Sequence, residues 1–184
     1  CEHGSMGSIF EAKMLCENNN LKCIPVAEYY IVENPFEKDK RNYHIIVAPK
    51  TDEARKKVNY ISSLANIEGY YYKPRISPQW LIDNLNPDDI YITTACMAGI
   101  IRDDYAINNL FLPLFNYFGN NVFLEVQNHD NDLQRDINNK AIELSKEYGL
   151  KLIAANDSHY INEEGKNERL TLLAGKDITY DDED

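Results

Sequence analysis

Residues 121–155, NVFLEVQNHDNDLQRDINNKAIELSKEYGLKLIAA, decide how the rest of the chain is read. Asn121 to Gln127 reads as a strand, Asp132 to Tyr148 as a helix closed by Gly149, and Leu150 to Ala155 as a second strand. A strand, a helix and a strand in succession point to an α/β domain with mostly parallel strands.

Working outward, the same alternation continues. Upstream, Lys22 to Tyr30, Tyr43 to Ala48 and Ile90 to Thr94 read as strands, which makes five in all. Between them, Ser8 to Asn18 reads as a helix with Ser8 and Glu11 as a capping box. Thr51 is the expected N-cap of a second helix, in which Ala54, Val58, Ile61 and Ala65 recur at helical spacing. Gly69 to Pro74 is expected to be a loop, Pro78 to Leu85 a short helix, and Asp104 to Phe118 a helix kinked at Pro113. A last helix is expected near Glu164 to Leu173. Residues 1–184 are taken as one domain, with 176–184 as a tail leading to the next. Because the chain opens on Cys1 and not on Met, the expectation is that sequence precedes it, including early strands.

Composition narrows the class. A length of 184 residues supports one real core, and 43 % hydrophobic with 27 % charged residues is ordinary for a globular protein. No apolar run approaches the ~20 residues that span a bilayer, and residues 1–20 lack the layout of a signal peptide. No membrane partner is expected. The net charge of −11 argues against tight duplex binding by this piece alone, unless bound cations or a larger partner supply positive charge. The four cysteines form no CxxC pair, so reduced thiols in a cytoplasmic protein are expected.

The residues that carry chemistry fall near strand ends. His129 and His159 follow strands, and His3 precedes the first helix; Glu28, Cys96 and Asp157 also lie near strand ends. Functional groups of parallel α/β folds gather at the carboxyl ends of strands. His44 breaks the pattern, because it opens its strand. Imidazole, carboxylate and thiolate donors together suit zinc, manganese or iron better than magnesium or calcium. Asp157-Ser158-His159, with donors at i and i+2, is the sharpest local signal. Each residue alone has a plainer reading: a surface histidine, a buried small thiol, a solvated strand-end carboxylate. Their coincidence near strand ends is what raises a metal site above chance.

Several segments carry a resemblance. Cys1-Glu2-His3-Gly4-Ser5-Met6 resembles Thr-Asp-His-Gly-Asn-Met of the PHP (polymerase and histidinol phosphatase) domain of bacterial DNA polymerase III alpha subunits. Val26-Ala27-Glu28-Tyr29-Tyr30 is similar to its Gly-Cys-Glu-aromatic-Tyr segment, and Tyr43-His44-Ile45-Ile46-Val47-Ala48 to its His-Leu-Val-Leu-Leu-Ala strand. Glu68-Gly69-Tyr70-Tyr71-Tyr72-Lys73-Pro74-Arg75 resembles its Glu-Gly-Phe-Tyr-Tyr-Lys-Pro-Arg signature, the most specific stretch. Ala95-Cys96-Met97-Ala98-Gly99, Leu124-Glu125-Val126-Gln127-Asn128-His129 and Ala155-Asn156-Asp157-Ser158-His159-Tyr160 match three further motifs, in family order up to about Gly175.

The resemblance implies a distorted seven-stranded (β/α) barrel of the PHP type, lacking its first strands here. It implies a cluster of up to three divalent metals, zinc or manganese, held by His3, Glu28, His44, Cys96, Asp157 and His159. The family's upstream His-x-His pair and nearby Asp are absent from this sequence. Lys73 and Arg75 are candidate contacts to phosphate or a partner, with a structural salt bridge as the competing role. His129 is a further substrate-binding candidate. The implied chemistry is metal-dependent phosphodiester hydrolysis, including 3′–5′ proofreading at a DNA primer end. The implied partners are the remainder of the polymerase subunit, the primer 3′ end and other replisome subunits. Two alternatives stand beside it. One is a non-catalytic scaffold that stabilises the polymerase or docks an exonuclease subunit. The other is a small-molecule phosphatase of the histidinol-phosphatase type, against which the Tyr-Tyr-Lys-Pro-Arg stretch argues.

Overall fold

The computed structural model describes residues 3–175; Cys1, Glu2 and the expected tail 176–184 lie outside the described residues. Seven strands form one sheet, two more than the sequence reading counted. They are β1 (Ala27–Ile31), β2 (Tyr43–Pro49), β3 (Tyr70–Tyr71), β4 (Lys73–Ile76), β5 (Ile90–Thr93), β6 (Val122–Gln127) and β7 (Leu152–Ala155), in the order β3-β4-β1-β2-β5-β6-β7. The two unforeseen strands are a hairpin where a loop was expected. Tyr70 pairs with Pro74 and Tyr71 with Lys73, around Tyr72 at φ 60°. Much of β4's support is distant in sequence: Arg75 and Ile76 pair with Tyr30 and Ile31 of β1. Local pattern carries no trace of such a contact. β1 itself starts at Ala27 and not at Lys22, beyond Pro25, which has no N–H to give a ladder.

The sheet is mixed, which corrects the expectation of mostly parallel strands. β1–β4, β5–β6 and β6–β7 are parallel, whereas β1–β2, β2–β5 and β3–β4 are antiparallel. Residues 32–42 link β1 to β2 without a helix, so β2 folds back beside β1 instead of crossing over. Each βα crossover in the second half restores parallel pairing.

Helices cover one face. In α2 (Asp52–Ile67), the Thr51 hydroxyl accepts the Ala54 N–H at 3.1 Å, and Ala54, Val58, Ile61 and Ala65 are buried as expected. In α6 (Asp132–Tyr148), Asn131 caps the first turn, Ile137, Ala141 and Leu144 are buried, and Gly149 closes the helix at φ 68°. Where a kink at Pro113 was expected, the helix changes its winding. α4 (Asp104–Ala106) passes into a π-helical turn, Ile107–Phe111, before α5 (Leu112–Phe118). Proline lacks an N–H and crowds the preceding turn, and a π turn admits that disruption without ending the helix. The shorter α1 (Ile9–Asn18), α3 (Pro78–Asn84) and α7 (Glu163–Ala174) complete the set. Ile31, Ile45, Val47, Ile92, Val122 and Leu124 of the sheet meet Val58, Ile61, Leu110, Phe111 and Phe118 in the core. No helix of the described residues is long and apolar enough to cross a membrane.

The sheet curls. His3 bridges to Glu28 of β1, while His159 follows β7, four strands further along. A flat sheet would separate β1 from β7 by roughly 19 Å at about 4.8 Å per strand. The His3 and His159 ring centroids are 5.8 Å apart. The strands therefore wrap around a shared interior, onto which the donor side chains project.

Candidate metal centre

Glu28 is the hub. Its carboxylate is 5 % exposed, and its Oε1 lies 2.9 Å from His44 Nδ1 and 3.4 Å from His3 Nε2. The pairing register explains the contact. His44 lies opposite Tyr30, and Ile46 opposite Glu28. Opposite residues of an antiparallel pair share a face, so Glu28, Tyr30 and His44 all point the same way. The backbone fixes His3 on the other side: Gly4 N–H donates to the Glu28 carbonyl at 2.7 Å. Gly4 has φ +66°, and a Cβ there would sit 2.8 Å from the Tyr30 ring, so only glycine lets His3 approach this closely.

The anomalous position of His44 now has a cause. β2 runs antiparallel to β5, so the first residues of β2 lie beyond the carboxyl end of β5, where Cys96 follows. His44 N–H donates to the Ala98 carbonyl at 2.8 Å, and Cys96 Sγ lies 3.4 Å from His44 Nδ1. The turn that delivers Cys96 is tight. Ala95 has φ 58°, Gly99 N–H donates to the Cys96 carbonyl at 2.8 Å, and a Cβ on Gly99 would fall 1.9 Å from the Thr94 carbonyl oxygen.

Asp157 and His159 come from the turn after β7. Asp157 adopts φ 49°, a left-handed conformation that redirects the chain after the strand. His159 Nδ1 lies 2.8 Å from the Asp157 carbonyl oxygen. A carbonyl can only accept, so Nδ1 carries the proton and Nε2 keeps its lone pair for a ligand.

The electrostatics of the cluster are mutual. Burial pushes the Glu28 carboxyl up, but the hydrogen bond with His44 and the charges of His3, His44 and His159 outweigh it and hold the group below the usual carboxylate range. Burial pushes the His3 imidazole down, with Glu28 opposing and His44 and His159 reinforcing the shift. Burial drives the Cys96 thiol up to about 12, and the nearby Asp157 and Glu28 carboxylates add to it. These interactions make the six residues electrostatic neighbours, and among the described residues His3, Glu28 and His44 are the group close enough to share one ion.

The donor separations suit a first-row metal. Two nitrogen or oxygen ligands about 2.0–2.1 Å from a tetrahedral ion stand roughly 3.4 Å apart, and a nitrogen–sulfur pair about 3.5 Å. The His3–Glu28 and Cys96–His44 separations, both 3.4 Å, match; the His44–Glu28 contact of 2.9 Å is that of a hydrogen bond. His3, Glu28 and His44 offer three ligand atoms within 4.8 Å of one another.

The remaining candidates divide. Lys73 Nζ lies 3.3 Å from the Tyr30 hydroxyl and 4.8 Å from its ring centroid. Tyr30 in turn meets the edge of His44 at 5.2 Å, so Lys73 stands at the rim of the cluster. Arg75 stands elsewhere. It is 2 % exposed, and its guanidinium donates to the carbonyls of Pro35 (2.6 Å), Asp39 (2.8 Å) and Gly69 (3.2 Å). It ties the β1–β2 loop to the β3–β4 hairpin, and its guanidinium is engaged by these carbonyls. The competing role foreseen for it, a salt bridge, is replaced by carbonyl contacts. His129 lines a separate cavity that shares Asp157 and His159 with the donor cluster. Tyr30 itself escaped the sequence reading, although it lies two residues after Glu28 on one strand and therefore on the same face. A second omission is the buried Glu125, which accepts from the Thr93 hydroxyl at 2.6 Å and the Gln127 amide at 3.0 Å.

The sequence profile of the PHP domain matches residues 1–129. The DNA polymerase III subunit alpha of Aquifex aeolicus is 34 % identical over 142 residues, covering 74 % of this chain and 12 % of that protein. That of Borreliella burgdorferi is 35 % identical over 133 residues, covering 68 % and 11 %. That of Treponema pallidum is 29 % identical over 187 aligned residues, covering 94 % and 16 %. The chain thus spans only a small part of the length of these relatives. It belongs to the PHP domain family.

Proposed function

We propose that this PHP domain binds divalent metal ions, zinc or manganese, and serves as a phosphoesterase module of a DNA polymerase III alpha subunit in DNA replication. One observation carries the reading: imidazole and carboxylate donors from separate segments meet at Glu28, with the Cys96 thiol beside His44, at separations suited to such ions. His3, Glu28, His44, Cys96, Asp157 and His159 would hold the metals, up to three when the upstream part of the site is present. Bound there, the ions would polarise a phosphoryl group and lower the pKa of a water. The chain's own residues do the rest. Lys73, steadied by the Tyr30 ring and hydroxyl, meets a phosphate oxygen at the rim. The buried wall around Tyr30 and Glu28 excludes bulk water.

On this reading the substrate is a primer 3′ end and the reaction 3′–5′ proofreading hydrolysis. The curled sheet is the described part of a PHP-type barrel, the partners are the remainder of the subunit and other replisome subunits, and the location is cytoplasmic. The net charge of −11 fits a site in which metal ions, and not the protein surface, draw in the phosphate. The test is manganese-loaded chain with a single-stranded oligonucleotide. Release of mononucleotides from the 3′ end, abolished by a chelator and reduced at least ~10–100-fold in Glu28→Gln, is the expected result. A metal-loaded chain with no nuclease activity would favour the second reading, a scaffold. The observation on that side is α1, which has no buried residue and exposes Phe10, Met14 and Leu15.

A further inference from the structure

A cavity of about 410 Å³ opens between the β6–α6 and β7–α7 loops, and Asp157 and His159 belong both to its wall and to the donor cluster. The geometry points to a nucleoside-binding subsite: the cavity seats the sugar and base of a terminal nucleotide whose phosphate lies on the metal side, with Tyr160 as the principal stacking face. This assignment rests on the phosphoesterase reading and specifies its substrate end.

Three features carry it. The first is size, which falls at the lower end of the roughly 300–1,000 Å³ typical of small-molecule sites and gives room for one unpaired nucleoside. The second is charge. Among the described residues, the one Lys or Arg side chain that lines the cavity, Arg135, is held by two carboxylates, Asp130 at 2.6 Å and Asp132. A bound anion therefore finds no free guanidinium or ammonium in the cavity; of its three carboxylates, Asp130 and Asp132 are paired with Arg135, and Asp157 belongs to the donor set that holds metal on the phosphoesterase reading. A neutral group is what fits. The third is the character of the wall. The rings of Tyr160 and His129 offer flat faces, and the Asn156 amide and Ser158 hydroxyl offer donors and acceptors. Flat faces next to neutral hydrogen-bonding groups are what single nucleobases are read by.

The wall is also held in place. Asn138 of α6 accepts from Gln127 N–H at 3.1 Å and donates to the Gln127 carbonyl at 2.7 Å, pairing with the end of β6 as a neighbouring strand would. Asn131 N–H then donates to the His129 carbonyl at 3.0 Å and closes the turn that carries the His129 ring. A site fixed before binding loses less to ordering when the ligand arrives.

The test compares two probes on manganese-loaded chain by isothermal titration calorimetry, thymidine 5′-monophosphate and inorganic phosphate. The nucleotide is expected to bind about tenfold or more tightly, the size of one stacking contact. Tyr160→Ala should abolish that preference and Tyr160→Phe, which keeps the ring, should retain it. Asn156→Ala, at an exposed position, provides a second variant if Tyr160→Ala fails to fold, and should narrow the preference. Equal binding of the two probes, or a preference untouched by Tyr160→Ala and Asn156→Ala, would overturn the subsite and leave the phosphoesterase reading standing. Binding of neither probe to folded, metal-loaded protein would overturn both.

Discussion

His44 Nδ1 lies 2.9 Å from Glu28 Oε1, and the two side chains share a face because β2 runs against β1. The same reversal takes the start of β2 past the end of β5, so His44 also meets Cys96 at 3.4 Å. A strand that runs against both of its neighbours, β2, is what gathers a carboxylate, an imidazole and a thiol.

Gly99 is the keystone of that meeting. Its N–H holds the Cys96 carbonyl, and a Cβ would come within 1.9 Å of the Thr94 backbone oxygen, a contact that only backbone movement relieves. Gly99→Ala is expected to lower stability by about 2–4 kcal/mol in chemical denaturation. It should also weaken metal binding more than a remote substitution of equal cost, because the displaced segment carries Cys96 and the carbonyl that anchors His44.

Arg75 is a structural clamp on this account. Arg75→Ala would leave the Pro35 and Asp39 carbonyls without the guanidinium donor, while the Gly69 carbonyl keeps the backbone N–H of residue 75, and is expected to cost about 2–4 kcal/mol. Arg75→Lys should recover little, because one ammonium cannot reach three acceptors as a planar fork does. Unchanged denaturation midpoints in both variants would refute the clamp.

Asn138→Leu removes both hydrogen bonds to Gln127 and leaves a buried strand end unpaired. A loss of about 1–3 kcal/mol is expected, together with faster amide exchange across residues 127–131. Exchange that accelerates uniformly over the chain, or not at all, would contradict a local pinning role.

The Tyr43 phenol titrates late. Burial pushes it up to about 12, and its hydrogen bond to Asp103 at 2.9 Å adds to the shift. A raised folded value means that the stability it contributes is intact below the ordinary tyrosine value of about 10 and is lost as pH climbs through about 12. Spectrophotometric titration should therefore show fewer than all 13 tyrosines ionising near pH 10, with a late phase that shrinks in Tyr43→Phe.

The sequence revealed the parts of this molecule that rest on short-range physics. Thr51, the Ala54–Val58–Ile61–Ala65 stripe and Gly149 occupy the cap, buried face and terminus foreseen for them, since each depends on residues within one helix. Of the six donors named from motif order, His3, Glu28 and His44 form a group with ligand atoms within 4.8 Å of one another. The failures share a cause, pairing between distant segments. The β3–β4 hairpin leans on β1, and the reversal of β2 depends on a loop's failure to form a helix, neither of which leaves a periodic signature. Arg75 and Lys73 are two residues apart in one motif, yet one is buried against carbonyls and the other stands at the rim beside Tyr30. Sequence assigned both the same role because a motif displays charge, and not the partners that each cation meets.

Whether Glu28 anchors a metal centre is decided by elemental analysis of the purified chain after incubation with zinc or manganese. The account predicts at least one tightly held divalent ion per folded chain, lost in both Glu28→Gln and His159→Ala while circular dichroism remains that of the parent. A folded chain that retains no metal, or one whose metal content is indifferent to both substitutions, would contradict it.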